Sequence, residues 1–370
     1  MNHASACWSR DPTHPARPGR GSASRTRRCS RRSAPVGGIH GGDCRSLPRR
    51  RPNRPPLPSC LLKVLLLVNS SASSVTPRTR VVIRKALSAD HDVEVAETNR
   101  RDHATSLARG AVHAGVDVVV VLGGDGTLNE AANGLAGSDT ALATLPGGST
   151  NVFARTIGLP NDPIEATSDL LDALARDAIR PVGLGNVNGR YFLFHTGVGF
   201  DAAIVAQVER RSGLKRYAGH ALFIYAGTET TIGHYDRKHP HFSVHHADGQ
   251  VIDDGYMTVV LNTNPYTYLG NRPFNLAPDA GFDRGLAVVT VRTMRVLPFL
   301  SIAASALSSG RRLRKSKNVD YRTDVEAVAL VADPARPKGE MPYQVDGDHL
   351  GPVERLEFKH EPNALRLVLP

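Results

Sequence analysis

Two short stretches of the chain combine glycine with oxygen-bearing side chains in a way that suits phosphate chemistry. One reads Gly123-Gly124-Asp125-Gly126-Thr127-Leu128-Asn129-Glu130, the other Gly147-Gly148-Ser149-Thr150-Asn151. Glycine has no Cβ to keep a phosphate from the backbone and tolerates positive φ. A helix beginning at such a turn adds unpaired N–H groups and the positive end of its dipole. Asp125 fits less simply, because a carboxylate in a phosphate-binding turn repels its ligand unless a cation lies between them. Mg²⁺ held through Asp125 and water resolves the conflict; the plainer alternative is a turn aspartate bonded to its own backbone. Thr127 and Glu130 match the capping box Thr-x-x-Glu, which gives Glu130 a structural role. A third acidic turn, Asp346-Gly347-Asp348, reads by itself as an ordinary β-turn.

The surrounding pattern says what must hold these turns. Strands at 63–69, 92–97, 117–122 and near 141–145 alternate with helices around 78–89 and 103–114, one from 128 and one from about 150 to 157, ended by Gly158 and Pro160. Continuous β-branched and leucine runs between helices indicate an α/β fold, a doubly wound parallel sheet covered on both faces. Both glycine turns then lie where a strand ends and a helix begins, the edge at which such sheets bind ligands. Side by side they make a cradle wide enough for a nucleotide triphosphate. After about residue 180 the texture changes to short strands at 181–187, 191–196, 241–247, 256–262, 286–293 and 325–332, with helices over roughly 200–231 and 296–309. The reading is a tail at 1–59, a nucleotide-binding lobe at 60–180, and a mostly antiparallel β-rich lobe at 181–370 whose last segment returns to the first lobe.

Charge and composition narrow the function. The 370 residues carry a formal +11, yet residues 1–59 hold 13 Arg, no Lys and only Asp11 and Asp43, so the excess lies in the tail. The remainder is balanced, with no global basic field to hold a nucleic acid. An Arg/Pro/Ser/Gly tail this poor in branched apolar residues is expected to be disordered, either an arm for a polyanion or anionic lipid, or a flexible extension translated from a start codon placed too early. Cys7, Cys29, Cys44 and Cys60 form no C-x-x-C pattern, which fits a reducing compartment with no disulfide framework or zinc site. The apolar run 61–68 is interrupted by Lys63 and suits a buried strand better than a signal peptide. No window approaches the roughly 20 apolar residues of a membrane span. No P-loop motif occurs, and Gly197-Val198-Gly199-Phe200-Asp201-Ala202 lacks the acidic residue that a dinucleotide fold places about 20 positions later. His239, His241, His245 and His246 crowd together without the partners that complete a metal site.

Taken together, the two glycine turns, Gly197–Ala202 and Asp346-Gly347-Asp348 resemble the diacylglycerol kinase catalytic-domain family, which includes bacterial diacylglycerol kinases, YegS-like lipid kinases, and ceramide and sphingosine kinases. The resemblance is spread over residues 61–360; the Gly-Gly-Asp-Gly-Thr turn by itself is also similar to NAD kinases and phosphofructokinases. It implies an ATP site between an α/β lobe and a β-rich lobe, with Mg²⁺ and phosphoryl transfer to a lipid hydroxyl such as that of diacylglycerol. By position it implies ATP contacts from Asn69, Thr98, Gly123, Gly124, Asp125, Gly126, Thr127, Leu128, Asn129, Gly147, Gly148, Ser149, Thr150 and Asn151. Asp125 and Asp346 are implied at the metal, Asp201 near the lipid hydroxyl, and Asp348 as general base with Asp125 second. The chain departs from the family pattern in four places. Asp348 replaces a Glu, Asn69-Ser70-Ser71 replaces Asn-Pro, and Val152 replaces a frequent Asp. Arg284 replaces an acidic ligand of a second-lobe structural Mg²⁺, so that site is expected to be absent or rebuilt around Asp283.

A lipid acceptor implies contact with a bilayer. The apolar segment from Val296 to Ser309, followed by Arg311, Arg312, Arg314, Lys315 and Lys317, suits docking beside anionic head groups, or alternatively a core helix with a solvated exit. The expected setting is cytoplasmic with peripheral membrane association, and a homodimer is left open. The rivals are an NAD kinase-like enzyme and a lipid-binding pseudokinase.

Overall fold

The computed structural model describes residues 61–210, 227, 235–335 and 339–370. The tail, its four cysteines and the part of the expected 200–231 helix beyond Arg210 (Gly227 excepted) lie outside the described residues.

The first lobe is built on four parallel strands, β1 (Lys63–Val68), β2 (Asp92–Glu97), β3 (Val118–Gly123) and β4 (Ala141–Pro146), in the order β2-β1-β3-β4. Their continuous apolar runs are divided between two faces by the period of two. Leu65, Leu67, Val119 and Val121 face α2 (His103–His113) and α3 (Asp125–Leu135). Val64, Leu66, Val118, Val120 and Leu122 face α1 (Pro77–Leu87) and α5 (Pro163–Ala175). The short α4 (Val152–Thr156) follows β4. Helix α5 has no counterpart in the sequence reading; it begins at Pro163 behind Asp162, whose carboxylate accepts the N–H groups of Ile164 and Glu165.

Beyond α5 come β5 (Ile179–Val187), β6 (Arg190–Phe192), β7 (His195–Gly199), α6 (Phe200–Arg210), β8 (Phe242–His246), β9 (Val251–Gly255), β10 (Met257–Leu261), β11 (Thr267–Leu269) and β12 (Arg272–Phe274). Then follow β13 (Leu286–Val291), α7 (Val296–Ala306), β14 (Val319–Val325), β15 (Ala327–Ala332), β16 (Met341–Val345), β17 (Asp348–Val353) and β18 (Arg355–Val368). An antiparallel sheet runs β14-β13-β10-β7-β16-β17. Strand β18 pairs with β15 and β5 and, in parallel, with β4 at Arg366 and Leu367, so the last strand joins the first lobe's sheet.

The strand expected at 191–196 is divided into β6 and β7. At the break the N–H groups of Leu193, Phe194 and His195 turn onto one carboxylate, that of Asp346, at 2.7, 3.0 and 3.0 Å. The backbone there serves a side chain instead of a neighbouring strand.

Candidate active site

The two glycine turns are packed backbone against backbone. A Cβ on Gly147 would lie 2.8 Å from Gly123 Cα, and one on Gly148 would lie 2.9 Å from Gly124 Cα. Gly147 N–H donates to Gly123 O at 2.8 Å. Gly124 is the N-cap of α3, three residues before the cap that the capping-box reading requires. That reading is corrected: Thr127 is inside the helix, and Glu130 accepts the Ala104 N–H at the start of α2 at 3.1 Å. Asp125, in the first turn of α3, holds the second loop, since Oδ2 accepts Val152 N–H and Oδ1 accepts Phe153 N–H, each at 3.0 Å. The α4 tip is thereby neutralised, which leaves the first turn of α3 as the helix end turned toward the cleft. Asn69 donates to Thr127 Oγ1 at 2.8 Å and accepts the Ser71 N–H at 3.0 Å. Asn151 sits at φ 48° and folds its own turn, accepting Gly148 N–H and donating to Gly148 O and Asn161 Oδ1.

The acidic turn comes from the other lobe. Asp346 is 3% exposed and accepts, besides the three backbone N–H groups, the Asn129 amide at 2.8 Å. Burial pushes its carboxyl up to about 6 against those four donors. Asp346, expected at the metal, has both oxygens engaged in joining the lobes. Asp348 remains open on the cleft. Its Oδ2 accepts from Arg101 at 2.6 Å and from Arg190 at 3.5 Å, while Oδ1 has no hydrogen-bond partner among the described residues. Arg190 also donates to Asn129 Oδ1 at 2.9 Å, so one guanidinium links the acidic turn to α3.

Between these parts lies a cleft of about 560 Å³. Its wall includes Asn69, Ser71, Ser73, Gly124, Asp125, Gly126, Thr127, Gly148, Ser149, Thr150, Asn151, Asp346, Gly347 and Asp348. Phe194, Val205, Val208 and Leu269 make an apolar stretch of the same wall, beside His195, Tyr266 and Tyr268. Tyr268 is fixed by the Arg155 guanidinium, which lies 3.7 Å from its ring centre, and Arg155 also donates to Gly270 O at 3.0 Å.

Residues 63–187, which span both glycine turns, match the family model described as diacylglycerol kinase catalytic domain. That stretch is about a third of the chain, and it is there that the similarity to the diacylglycerol kinase catalytic domain lies. The chain is similar to a diacylglycerol kinase of Bacillus subtilis (strain 168), 33% identical over 150 residues, a stretch that covers 40% of this chain and about half (48%) of that protein. It is also similar to a protein of Pseudomonas fluorescens named "Probable lipid kinase YegS-like", 28% identical over 265 residues that cover 65% of this chain and 84% of the relative. A solved structure of a diacylglycerol kinase from Bacillus anthracis str. Sterne covers 84% of this chain and 98% of its own, with a TM-score of 0.59 at 20% identity, which speaks for the fold alone.

Several residues expected at the nucleotide are placed elsewhere. Leu128 is 2% exposed in the core between β3 and α2, as its position one turn into α3 dictates. Asn129 points away from the cleft into the Asp346 and Arg190 network. Gly123 and Gly147 lie behind the wall, and Thr98, at the end of the edge strand β2, is not part of it. Asp201, expected near the lipid hydroxyl, is 3% exposed behind the wall, where it accepts from Tyr266 at 2.6 Å and Gln344 at 2.9 Å. Burial raises both the Asp201 carboxyl and the Tyr266 hydroxyl. Asp283 is exposed and pairs with Arg180 at 3.4 Å. The four histidines do not converge on one point: His239 meets the carboxylate and His241 the backbone oxygen of Asp236, while His245 meets Ser243 and His246 meets Asp320. Arg101, Arg190, His195, Tyr266 and Gln344 went unnoticed in the sequence, where no local pattern distinguishes them.

Proposed function

We propose that this chain transfers the γ-phosphoryl group of ATP to the hydroxyl of diacylglycerol or a similar lipid, giving phosphatidic acid in the first case. The observation that carries the proposal is the convergence on one cleft of a glycine-capped helix tip from one lobe and Asp348 from the other. Residues 60–180 supply the nucleotide side and residues 181–370 the lipid side. The first turn of α3 and the hydroxyls of Thr127, Ser149 and Thr150 bind phosphate oxygens. Asp348 accepts the proton of the attacking hydroxyl at Oδ1 as the new P–O bond forms and the bond to the bridging oxygen of ADP breaks. Arg101 and Arg190 hold Oδ2 and orient the carboxylate. The donor set facing the triphosphate is all oxygen, which fits Mg²⁺; with no group of three or more His, Cys, Asp or Glu arranged around a metal among the described residues, the ion would be held chiefly by phosphate and water, with Asp125 at its edge. When bound it neutralises phosphate charge.

The lipid must be drawn from a bilayer, and α7 is suited to rest on one. Ile302 and Ala306 are buried, whereas Leu297, Val296 and Leu300 are 80%, 59% and 58% exposed. Arg311, Arg312, Lys315 and Lys317 follow without ion-pair partners among the described residues, while Arg314 pairs with Asp279. No described helix is long and apolar enough to cross a membrane. The exposed apolar side of α7 and the basic residues after it support peripheral association with a membrane.

Labelled ATP offered with diacylglycerol, ceramide, sphingosine and NAD tests the proposal. The expected result is a labelled lipid phosphate that is lost in Asp348→Asn. Labelling of NAD alone, or ATP binding without transfer to any lipid, overturns it.

A further inference from the structure

The cleft wall holds one polar side chain that the phosphate chemistry leaves unused. His195, the first residue of β7, is 4% exposed, faces the cleft, and its Nδ1 is buried without a hydrogen-bond partner. Nδ1 is closed off from the cleft; Nε2 also has no hydrogen-bond partner among the described residues and is not closed off, so it is the ring nitrogen that a bound molecule can meet. The ring is packed between two aromatic neighbours. It lies 4.3 Å from the Tyr266 ring and 4.9 Å from the Phe194 ring, centre to centre, and its backbone N–H is held by Asp346 at 3.0 Å.

The neighbouring groups limit what the ring can meet. Tyr266 also faces the cleft, but its hydroxyl proton is committed to Asp201 at 2.6 Å. Asp346 and Asp348 stand on the same wall and disfavour an anionic partner beside them. Burial keeps the imidazole neutral, pushed down to about 3, so one ring nitrogen carries a proton to donate and the ring offers no positive charge. Val205, Val208 and Leu269 continue the wall as apolar surface.

We propose that His195 donates a hydrogen bond to an ester carbonyl next to the reacting hydroxyl of the acceptor lipid, and so makes the cleft selective for an uncharged acyl ester. This rests on the lipid-kinase reading above. His195 is a specificity residue in this scheme: it touches the acceptor and takes no part in proton transfer. A donor aligned with a carbonyl rejects the analogue that lacks one, because the ring is then left unpaired again.

The test compares 1,2-dioctanoylglycerol with its 1,2-dioctyl ether analogue, in mixed micelles, as acceptors for the full chain. Wild type is expected to favour the diester about tenfold in kcat/KM, the factor that one buried hydrogen bond supplies. His195→Phe keeps the ring contact with Tyr266 and should bring the ratio close to one through a raised diester KM, with the KM for ATP unchanged. His195→Gln, which retains a donor, should restore part of the preference. A wild type that treats the two acceptors alike overturns the inference, whether or not the variants fold. A diester preference that persists unchanged in His195→Phe overturns it as well. Turnover of neither glyceride overturns this inference, and if ceramide and sphingosine are also left unphosphorylated with ATP bound the lipid-kinase reading falls with it, whereas the first two results sink the inference alone.

Discussion

Asn129 and Asp346 are separated by 217 positions and joined by a hydrogen bond of 2.8 Å. The Asn129 amide also donates to Tyr191 O at 2.9 Å, and its Oδ1 accepts from Arg190. A residue on the helix of the first glycine turn thus fixes the acidic turn of the other lobe. Replacing it by Leu leaves the volume similar but removes one of two donors from Asp346 Oδ2, which keeps Leu193 N–H, one of two from Tyr191 O, which keeps Asn133, and the acceptor of Arg190. Asn129→Leu should therefore lose roughly 1–3 kcal/mol of stability, the combined effect of removing hydrogen bonds to a carboxylate, a carbonyl and a guanidinium at one buried place. Urea denaturation of wild type and variant measures the difference, and a change below about 0.5 kcal/mol would mean that the bond is not a strut between the lobes.

Asp348 and Asp125, both on the cleft, should fail in different ways. Asp348 binds no backbone group of either glycine turn, so Asp348→Asn should lower kcat by roughly 10²–10⁴ while the KM for ATP stays within about a factor of two. Asp125 holds the tip of α4 through two N–H groups. Asp125→Ala should remove about 1–2 kcal/mol of stability and raise the KM for ATP, because the second loop loses its register against the first. Steady-state kinetics with ATP varied, alongside thermal unfolding, separates the two patterns.

Much of this arrangement was legible in the sequence because it is local. A run such as Val118 to Leu122 ending in two glycines and starting a helix encodes its own strand, turn and helix tip, and the two turns lie where expected. The capping box failed because the pattern names compatible residues without saying where the helix begins: Gly124 caps it, and Glu130 is released to α2. Leu128 was assigned to the nucleotide by its place in a motif, although a residue one turn into a helix after a buried strand belongs to the core. Arg101 and Asp348 pair across 247 positions, and no local periodicity records such a contact. The division of the 191–196 strand has the same origin, since it depends on a carboxylate more than 150 positions away.

The pH dependence of stability should expose two buried groups that oppose each other. Burial holds His195 down at about 3, below its ordinary 6.5, so its contribution is complete above about 6.5 and is lost as the pH falls toward 3. Asp346 is raised to about 6 from 3.8, so its contribution is complete below about 3.8 and is lost as the pH rises through 6. Between pH 4 and 6 the two slopes have opposite signs and largely cancel. His195→Phe removes one of them. Wild type minus variant stability should therefore rise with pH by up to about 1.4 kcal/mol per unit between pH 4 and 6 and level off above 7. Urea denaturation at half-unit intervals checks this, and a difference independent of pH would show that the His195 ring is charged in the fold.

Helix α7 makes the last prediction. Its buried side, Ile302 and Ala306, already accounts for its attachment to β10 and β13, so Leu297 and Leu300 are available for another surface. Placing a carboxylate at each should leave the fold intact, because both side chains are more than half exposed. Binding to vesicles rich in phosphatidylglycerol should fall at least tenfold in Leu297→Asp/Leu300→Asp, since each leucine forgoes roughly 1 kcal/mol or more of apolar burial and each new charge faces an anionic surface. Neutralising Arg311, Arg312 and Lys315 together should weaken binding to anionic vesicles while leaving binding to uncharged ones unchanged. The Arg314 guanidinium already pairs with Asp279 and approaches the Tyr321 ring, so Arg314→Gln should matter less to the vesicle and more to the fold. Co-sedimentation across these variants separates the apolar from the electrostatic contribution, and equal binding by all of them would place the lipid-facing surface on another element.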